Sequence, residues 1–106
     1  MQHPDNDSAF DAIVASAGDL PVFLKFSAEW CGPCKMIAGE VAELATANAG
    51  KMVFIHVDVD ALESTSEKFG IEAMPTCIVI KHGQKQGEPV TGASMDKIKA
   101  LVAANL

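Results

Sequence analysis

Three short apolar runs lie along the chain, and each is rich in residues that favour β-strands. They are PVFLKFS (21–27), KMVFIHVDV (51–59) and TCIVIK (76–81). The last run shows no alternation with polar residues, which is typical of a strand covered on both faces. These runs are predicted to form the centre of a sheet. The segment HGQKQGE (82–88) predicts a hairpin turn into a short, antiparallel strand near 88–91.

Between the first two runs, apolar residues recur at helical spacing. In CGPCKMIAGEVAELATANAG, Ile37, Val41, Leu44 and Ala45 form one stripe, acids occupy the opposite face, and Gly50 ends the segment. This pattern predicts a long amphipathic helix that begins near the two cysteines.

Three further segments are predicted to be helices. The first, DNDSAFDAIVASAGD, offers Asp7 or Ser8 as the N-cap and Gly18 as the terminator. A second lies within 61–70, and SMDKIKALVAANL ends the chain with Ser94 as its N-cap. The residues expected to face inward are Phe10, Ile13, Val14, Ala17, Leu62, Phe69, Met95, Ile98, Leu101 and Val102.

The predicted order is helix, strand, helix, strand, helix, strand, strand, helix, with room for a short edge strand before residue 7. The first two strands and the helix between them form a βαβ unit, so these strands should be parallel and the crossover right-handed. The fold class is therefore α/β, with a mixed central sheet of four or five strands and helices on both faces. A chain of 106 residues is expected to form one domain, 1–106.

Composition narrows the possible partners. Fourteen acids against eight lysines give a net charge of −6, and the chain has no arginine, which argues against a nucleic-acid partner. No apolar run approaches the length of about 18 residues that spans a bilayer, so no membrane association is expected. The first residues, MQHPDNDSAF, lack the pattern of an export signal, and three cysteines do not indicate a disulfide framework. A cytoplasmic location is the default expectation.

The close pair Cys31 and Cys34 is the strongest candidate for chemistry. A CxxC pair at the start of a helix places the first thiol at the positive end of the helix dipole, which favours the thiolate. Pro33 suits the first helical turn, and Gly32 leaves room for a partner's backbone. The second thiol should be more buried and stay protonated. Two unequal thiols are what dithiol exchange with a substrate disulfide requires.

Two alternatives remain open from the residues alone. A metal site needs four ligands, and the other candidates are Cys77, His3, His56 and His82, none at a second short spacing. A metal that bridges two subunits through Cys31 remains possible on these grounds. The other alternative is a binding or chaperone module in which the dithiol is incidental.

The segment FSAEWCGPCKMIA resembles the active-site segment of the thioredoxin family. GIEAMPT resembles the family's loop with a cis-proline, here Pro75, and VTGAS resembles its glycine-containing loop before the last helix. The resemblance extends over about 100 residues and implies the thioredoxin fold and a redox-active dithiol.

The resemblance implies a protein-disulfide reductase that works as a monomer without a bound cofactor. Cys31 would be the nucleophile, Cys34 the resolving thiol, and Pro75 would lie against the pair. The implied partners are disulfide-bearing client proteins and a separate reductase that restores the dithiol, a role in electron transport and redox homeostasis. The implied client-contact surface consists of Trp30, Gly32, Pro33, Val59, Ala73, Met74, Pro75, Gly92 and Ala93.

Three positions depart from the family pattern. Lys25 stands where the family usually has a buried aspartate, and His56 stands where it usually has a lysine. We expect Lys25 or His56 to tune Cys34, against the alternative that Lys25 extends to solvent and His56 has no part in catalysis. Gly39 replaces a helix-kinking proline, which affects local stability more than chemistry. Cys77 is expected to be a small core residue, with a regulatory thiol as the alternative.

Overall fold

The computed structural model describes residues 1–106 as one five-stranded mixed sheet with four helices. The helices are α1 (Asp7–Ser16), α2 (Gly32–Ala47), α3 (Glu63–Lys68) and α4 (Met95–Ala104), and the strands are β1 (Val22–Ser27), β2 (Val53–Asp58), β3 (Thr76–Lys81), β4 (Gln84–Lys85) and β5 (Val90–Thr91). The predicted fold class is therefore confirmed.

Strand β1 lies at the centre of the sheet, whose order is β2-β1-β3-β4, with β5 also paired to β3. β1 and β2 are parallel, as the βαβ prediction requires, and β3 is antiparallel to β1, β4 and β5. In this register Lys25 lies between His56 on β2 and Cys77 on β3. Because residues in register point to the same face, the sheet aligns these three side chains in one row.

The two faces of the sheet carry separate apolar clusters. On one face Phe23 and Phe54 pack with residues of α2 and α4, and their ring centroids lie 4.8 Å apart. On the other face Leu24 and Phe26 pack with Phe10 of α1 and with Leu62, which precedes α3. Alternation along β1 therefore sends Phe23 and Lys25 toward α2 and their neighbours toward α1 and α3.

Two details of the sheet differ from the sequence prediction. Residues Gln84–Lys85, predicted to lie in a turn, form the short strand β4 beside β3. The turn is tighter than predicted because His82 and Gly83 both adopt positive φ, 52° and 77°, as a two-residue hairpin connection requires. The proposed edge strand before residue 7 is reduced to one bridge, between Gln2 and Ile55.

The helix caps are partly as predicted. Ser94 Oγ accepts a hydrogen bond from the Lys97 amide, so it is the N-cap of α4. The predicted N-cap of α1 is wrong, because Asn6 rather than Asp7 or Ser8 accepts the hydrogen bond from the Ala9 amide, at 2.8 Å. None of the helices is long and apolar enough to cross a membrane.

Candidate active site

The two close cysteines lie where the central strand passes into α2. Cys31 is the N-cap of α2, and its Sγ accepts a hydrogen bond from the Cys34 amide at 3.2 Å. Pro33 lies in the first turn, where its missing N–H leaves no helical bond unmade. Cys31 and Cys34 form a disulfide with their Cα atoms 5.3 Å apart. The start of α2 therefore holds the two sulfurs close enough to form and break a disulfide with each other.

Burial of the two cysteines is less unequal than the sequence argument assumed. Cys31 is 6% exposed and Cys34 is 1% exposed, so both are largely covered in the disulfide form. The order is as expected, because the first cysteine is the more accessible. Ala28, Val59 and Met74 pack around the pair and make its surroundings apolar.

A loop before β3 lies against the cysteines. The Met74–Pro75 peptide bond is cis, as the resemblance implied. The Met74 carbonyl oxygen lies 3.8 Å from Cys31 Sγ, and the Gly92 amide donates a 2.8 Å hydrogen bond to the Pro75 carbonyl. The loop that carries Pro75 and the loop before α4 therefore meet beside the reactive sulfur.

The remaining residues of the predicted contact surface surround this edge. Trp30 is 69% exposed, and its Nε1 donates a 2.9 Å hydrogen bond to Asp60 Oδ2. Gly32 is exposed and has open space where a Cβ would stand. Ala73 is exposed, whereas Gly92 and Ala93 are half-buried. Ala93 also packs against the core cluster of α2 and α4, so it has a structural contact as well.

Lys25 lies beneath the cysteine pair and is only 2% exposed. The alternative that its amine extends to solvent is wrong, because Nζ donates a 3.3 Å hydrogen bond to the Cys34 carbonyl oxygen. Burial lowers the pKa of the Lys25 amine, against a smaller opposing effect of Cys77. The position that usually holds an acid therefore holds a buried amine shifted toward its neutral form.

The two neighbours of Lys25 in the row are also perturbed by burial. Burial raises the pKa of the Cys77 thiol to about 12, so this thiol is neutral at pH 7. Burial is the main cause that lowers the pKa of His56, and Lys25 and His3 lower it further, whereas Asp58 opposes them. The His56 ring lies against His3, with centroids 5.1 Å apart.

A cavity of about 190 Å³ opens beside this row. Its lining includes Lys25, Cys34 and His56, together with Glu29 and Lys35, which lie at the surface. The buried thiol position is thus connected to the exterior through a space that polar and charged side chains border.

Several residues of the site were not singled out from the sequence. They are Ala28, Glu29, Lys35 and Asp60. Only the proximity of Glu29 and Lys35 to the cysteines in the chain could have indicated them. Asp60 lies 30 residues from Trp30, so no local pattern connects the two.

The candidate metal ligands do not converge. No group of three or more histidine, cysteine or acidic side chains is placed to hold a metal ion. Cys77 is buried on β3, and His82 lies in the hairpin turn, where its Nε2 is 3.3 Å from Asp19. The His3 ring contacts the His56 ring, whereas His82 has Asp19 as its partner.

The family model described as Thioredoxin matches residues 2–104. This chain belongs to the thioredoxin family. It is 48% identical over 101 residues to a thioredoxin H-type of Chlamydomonas reinhardtii, which covers 93% of this chain and 88% of that protein. It is 41% identical over 98 residues to thioredoxin of Oryctolagus cuniculus, with 92% and 91% covered.

The fold agrees with a solved structure of the family. Reduced Schistosoma mansoni thioredoxin pre-protein superposes with a TM-score of 0.90 at 38% identity, covering 98% of this chain and 96% of that one. Family membership and the Cys31–Cys34 pair at disulfide distance make this protein a thiol–disulfide oxidoreductase with protein-disulfide reductase activity. The fold and the activity implied by the sequence resemblance are confirmed.

Proposed function

We propose that Cys31 is the nucleophile and Cys34 the resolving thiol of a single-domain, monomeric thioredoxin in the cytoplasm. The observation that carries the assignment is the position of Cys31 at the N-cap of α2, where its sulfur accepts the Cys34 amide. A thiolate at this place would keep that hydrogen bond and the favourable helix dipole. Cys31 is also the more exposed of the two sulfurs.

The reaction transfers two electrons from the dithiol to a client protein. The Cys31 thiolate attacks one sulfur of the client disulfide, forms a mixed disulfide and releases the first client thiolate. Cys34, once deprotonated, attacks Cys31 Sγ, which breaks the mixed disulfide and releases the second client thiolate. A reductase then returns two electrons and two protons to the Cys31–Cys34 disulfide, so the protein serves as an electron carrier and needs no bound cofactor.

The client would bind on the edge formed by Trp30, the loop of Pro75 and the loop of Gly92. The apolar residues around the sulfurs can contact a client whatever its charge. Gly32 leaves space for the backbone of the client. The Met74 carbonyl beside Cys31 Sγ marks where an extended client segment would lie against the loop. Such a surface suits many unrelated client proteins.

Insulin reduction driven by dithiothreitol tests the activity, and cysteine variants test the roles. The wild type should accelerate insulin precipitation, and Cys31→Ser should abolish the acceleration. Pre-reduced Cys34→Ser, mixed with insulin after the dithiothreitol is removed, should accumulate a mixed disulfide with the client. A wild type that does not accelerate precipitation would instead support the binding-module alternative. Trapping by Cys31→Ser in place of Cys34→Ser would reverse the two roles. Metal analysis after anaerobic purification tests a metal-bridged dimer.

A further inference from the structure

The amine of Lys25 is buried without an acidic partner. The ion pairs of the protein are His82 with Asp19 and Lys99 with Glu40, and both lie at the surface. The hydrogen bond that Lys25 Nζ makes goes to the carbonyl oxygen of Cys34, at 3.3 Å. A buried cation that lacks a counter-charge is unfavourable, so burial favours the neutral amine, which is a base.

The charged and titratable groups around Lys25 do not offset the effect of burial on its amine. From the packed elements they are His56 and Asp58 on β2, Cys77 on β3, Cys34 and Lys35 on α2, Glu29 before α2, and His3 near the chain start. None of the acids among them lies within ion-pair distance of the Lys25 amine. Cys77 is a neutral thiol at pH 7, since burial raises its pKa to about 12.

His56 is less well placed than Lys25 to act on the cysteines. It makes no hydrogen bond to either of them, and its ring lies against His3. It does line the same cavity as Cys34 and Lys25. The contacts therefore distinguish the two candidates that the sequence left open, and they favour the lysine.

We propose that Lys25, which lies against the Cys34 carbonyl and lines the same cavity as Cys34, accepts the proton of the Cys34 thiol in the resolving step. The inference rests on the proposed function, because it assigns the proton of that same step. The transfer converts Lys25 to the ammonium form and Cys34 to the thiolate, either directly or through one water. The thiolate then attacks Cys31 Sγ, the Cys31–client sulfur bond breaks, and the client leaves as a thiolate that solvent protonates.

The cavity provides the route by which Lys25 loses its proton before the next cycle. Its volume of about 190 Å³ has room for water, and Glu29 and Lys35 border it at the surface. His56 borders the same space, and burial lowers its pKa, so its ring adds no positive charge there at pH 7. The ammonium form is the one that burial disfavours, so the proton returns to solvent.

Two-phase kinetics with the aryl disulfide dithiobis(nitrobenzoate) tests the proposal on the reduced protein. The first equivalent of coloured thiol reports attack by Cys31, and the second reports resolution by Cys34. The variant is Lys25→Met, which removes the base and keeps the length of the side chain. Lys51→Met is the control, because it makes the same substitution at an exposed lysine beyond the far end of α2, away from the cysteines.

In Lys25→Met the first phase should stay within about twofold of wild type, while the second phase at pH 7 should slow by about 10²-fold, as expected for loss of a general base. The difference should narrow as pH approaches about 8.5, the pKa of an ordinary thiol. Lys51→Met should leave both phases unchanged. A merely structural role of Lys25 would not alter the pH profile of one phase alone.

Slowing of the second phase by less than about tenfold in Lys25→Met would overturn the proposal. Lys25→Arg keeps the positive charge but cannot accept a proton, so a wild-type second phase in that variant would overturn it as well. Loss of the first phase in Lys25→Met would mean that the substitution disrupts the site as a whole. Lys25→Gln then replaces it, and the same limits on the rates of the two phases apply. If the wild type releases no first equivalent of coloured thiol, Cys31 is not the nucleophile. That result would overturn the proposed function and, with it, the role of Lys25.

Discussion

Thr65 donates two hydrogen bonds to one carboxylate oxygen of Asp7, from a position 58 residues further along the chain. Asp7 Oδ1 accepts from the Thr65 amide at 3.0 Å and from its hydroxyl at 2.6 Å. Helix α3 has Leu62 as its N-cap and no side-chain cap of its own. A residue in the first turn of α1 therefore satisfies a free amide at the start of α3.

Loss of this contact should weaken the protein in a pH-dependent way. The Thr65 hydroxyl, and next its amide, hold the pKa of the Asp7 carboxyl below its ordinary value of 3.8. A carboxyl with a lowered folded pKa stabilises the fold above the unfolded value, and this contribution disappears as pH falls through the folded pKa. Asp7→Ala should unfold at lower urea than wild type at pH 7, and the two should converge below pH 3.8.

Asp11→Ala is the matched control for Asp7, because Asp11 lies on the same helix and is exposed. It should leave the urea midpoint nearly unchanged. An equal loss in both variants would show that helix charge, rather than the contact with Thr65, stabilises this region.

Replacement of Gly39 by alanine should stabilise the protein. Gly39 lies in the middle of α2, is exposed, and has open space where a Cβ would stand. Alanine in a helix interior is favoured over glycine by about 0.5–1 kcal/mol. The melting midpoint should therefore rise by about 2–8 °C in a calorimetric scan.

Gly50→Ala is the control for Gly39, since Gly50 follows α2 with φ of 81° and should resist a side chain. Its midpoint should fall. A fall in the Gly39→Ala midpoint would mean that α2 needs glycine at this position for a reason other than local propensity.

Removal of the Trp30 side chain should impair client reduction more than folding. Trp30 is 69% exposed beside the cysteines and is held by Asp60, so it can bury apolar area against a client without reorganising. Loss of about 1–2 kcal/mol of contact predicts a kcat/KM for insulin reduction lower by about 5- to 30-fold. Leu20→Ala, which removes an exposed leucine before β1, should have no effect. Equal kcat/KM values in all three proteins would remove Trp30 from the client surface.

Cys77 should be unreactive in the folded protein. It is fully buried, and its pKa of about 12 leaves about one thiol in 10⁴ ionised at pH 8. Iodoacetamide at pH 8 should therefore modify two thiols of the reduced native protein, and a third only in urea, as read by mass spectrometry. Modification of a third thiol at a similar rate without urea would support a regulatory role for Cys77.

Lys25→Met should stabilise the oxidised protein at pH 7 by about 1–3 kcal/mol, because it replaces a buried amine with an apolar side chain. Burial lowers the folded pKa of Lys25 below its ordinary value of 10.5, so the unfolded chain binds more protons between these two values. Wild-type stability should consequently rise with pH in that window. The advantage of the variant in urea unfolding should shrink toward pH 10.5, whereas an advantage independent of pH would show that Lys25 keeps an ordinary pKa.

Elements specified by local chemistry could be predicted from the sequence. The stripe of Ile37 and Val41 predicts α2, Pro33 marks its first turn, and the strand at 76–81 has its predicted bounds. The cap of α1 could not be predicted, because Asn6, Asp7 and Ser8 are all good N-caps and the choice follows from Asp7 contacting Thr65 of α3. Strand β4 was missed because a two-residue strand carries no periodic signal.

The sequence by itself determined that two thiols begin a helix after a central strand, since capping, φ preferences and apolar spacing act over a few residues. Only the tertiary structure decided that Lys25 has no acidic partner and lies against the Cys34 carbonyl. Alternation along β1 assigns Lys25 to one face, but not the helix that covers that face. The proton affinity of its amine depends on how far distant segments exclude water from it, and that is a property of the folded chain.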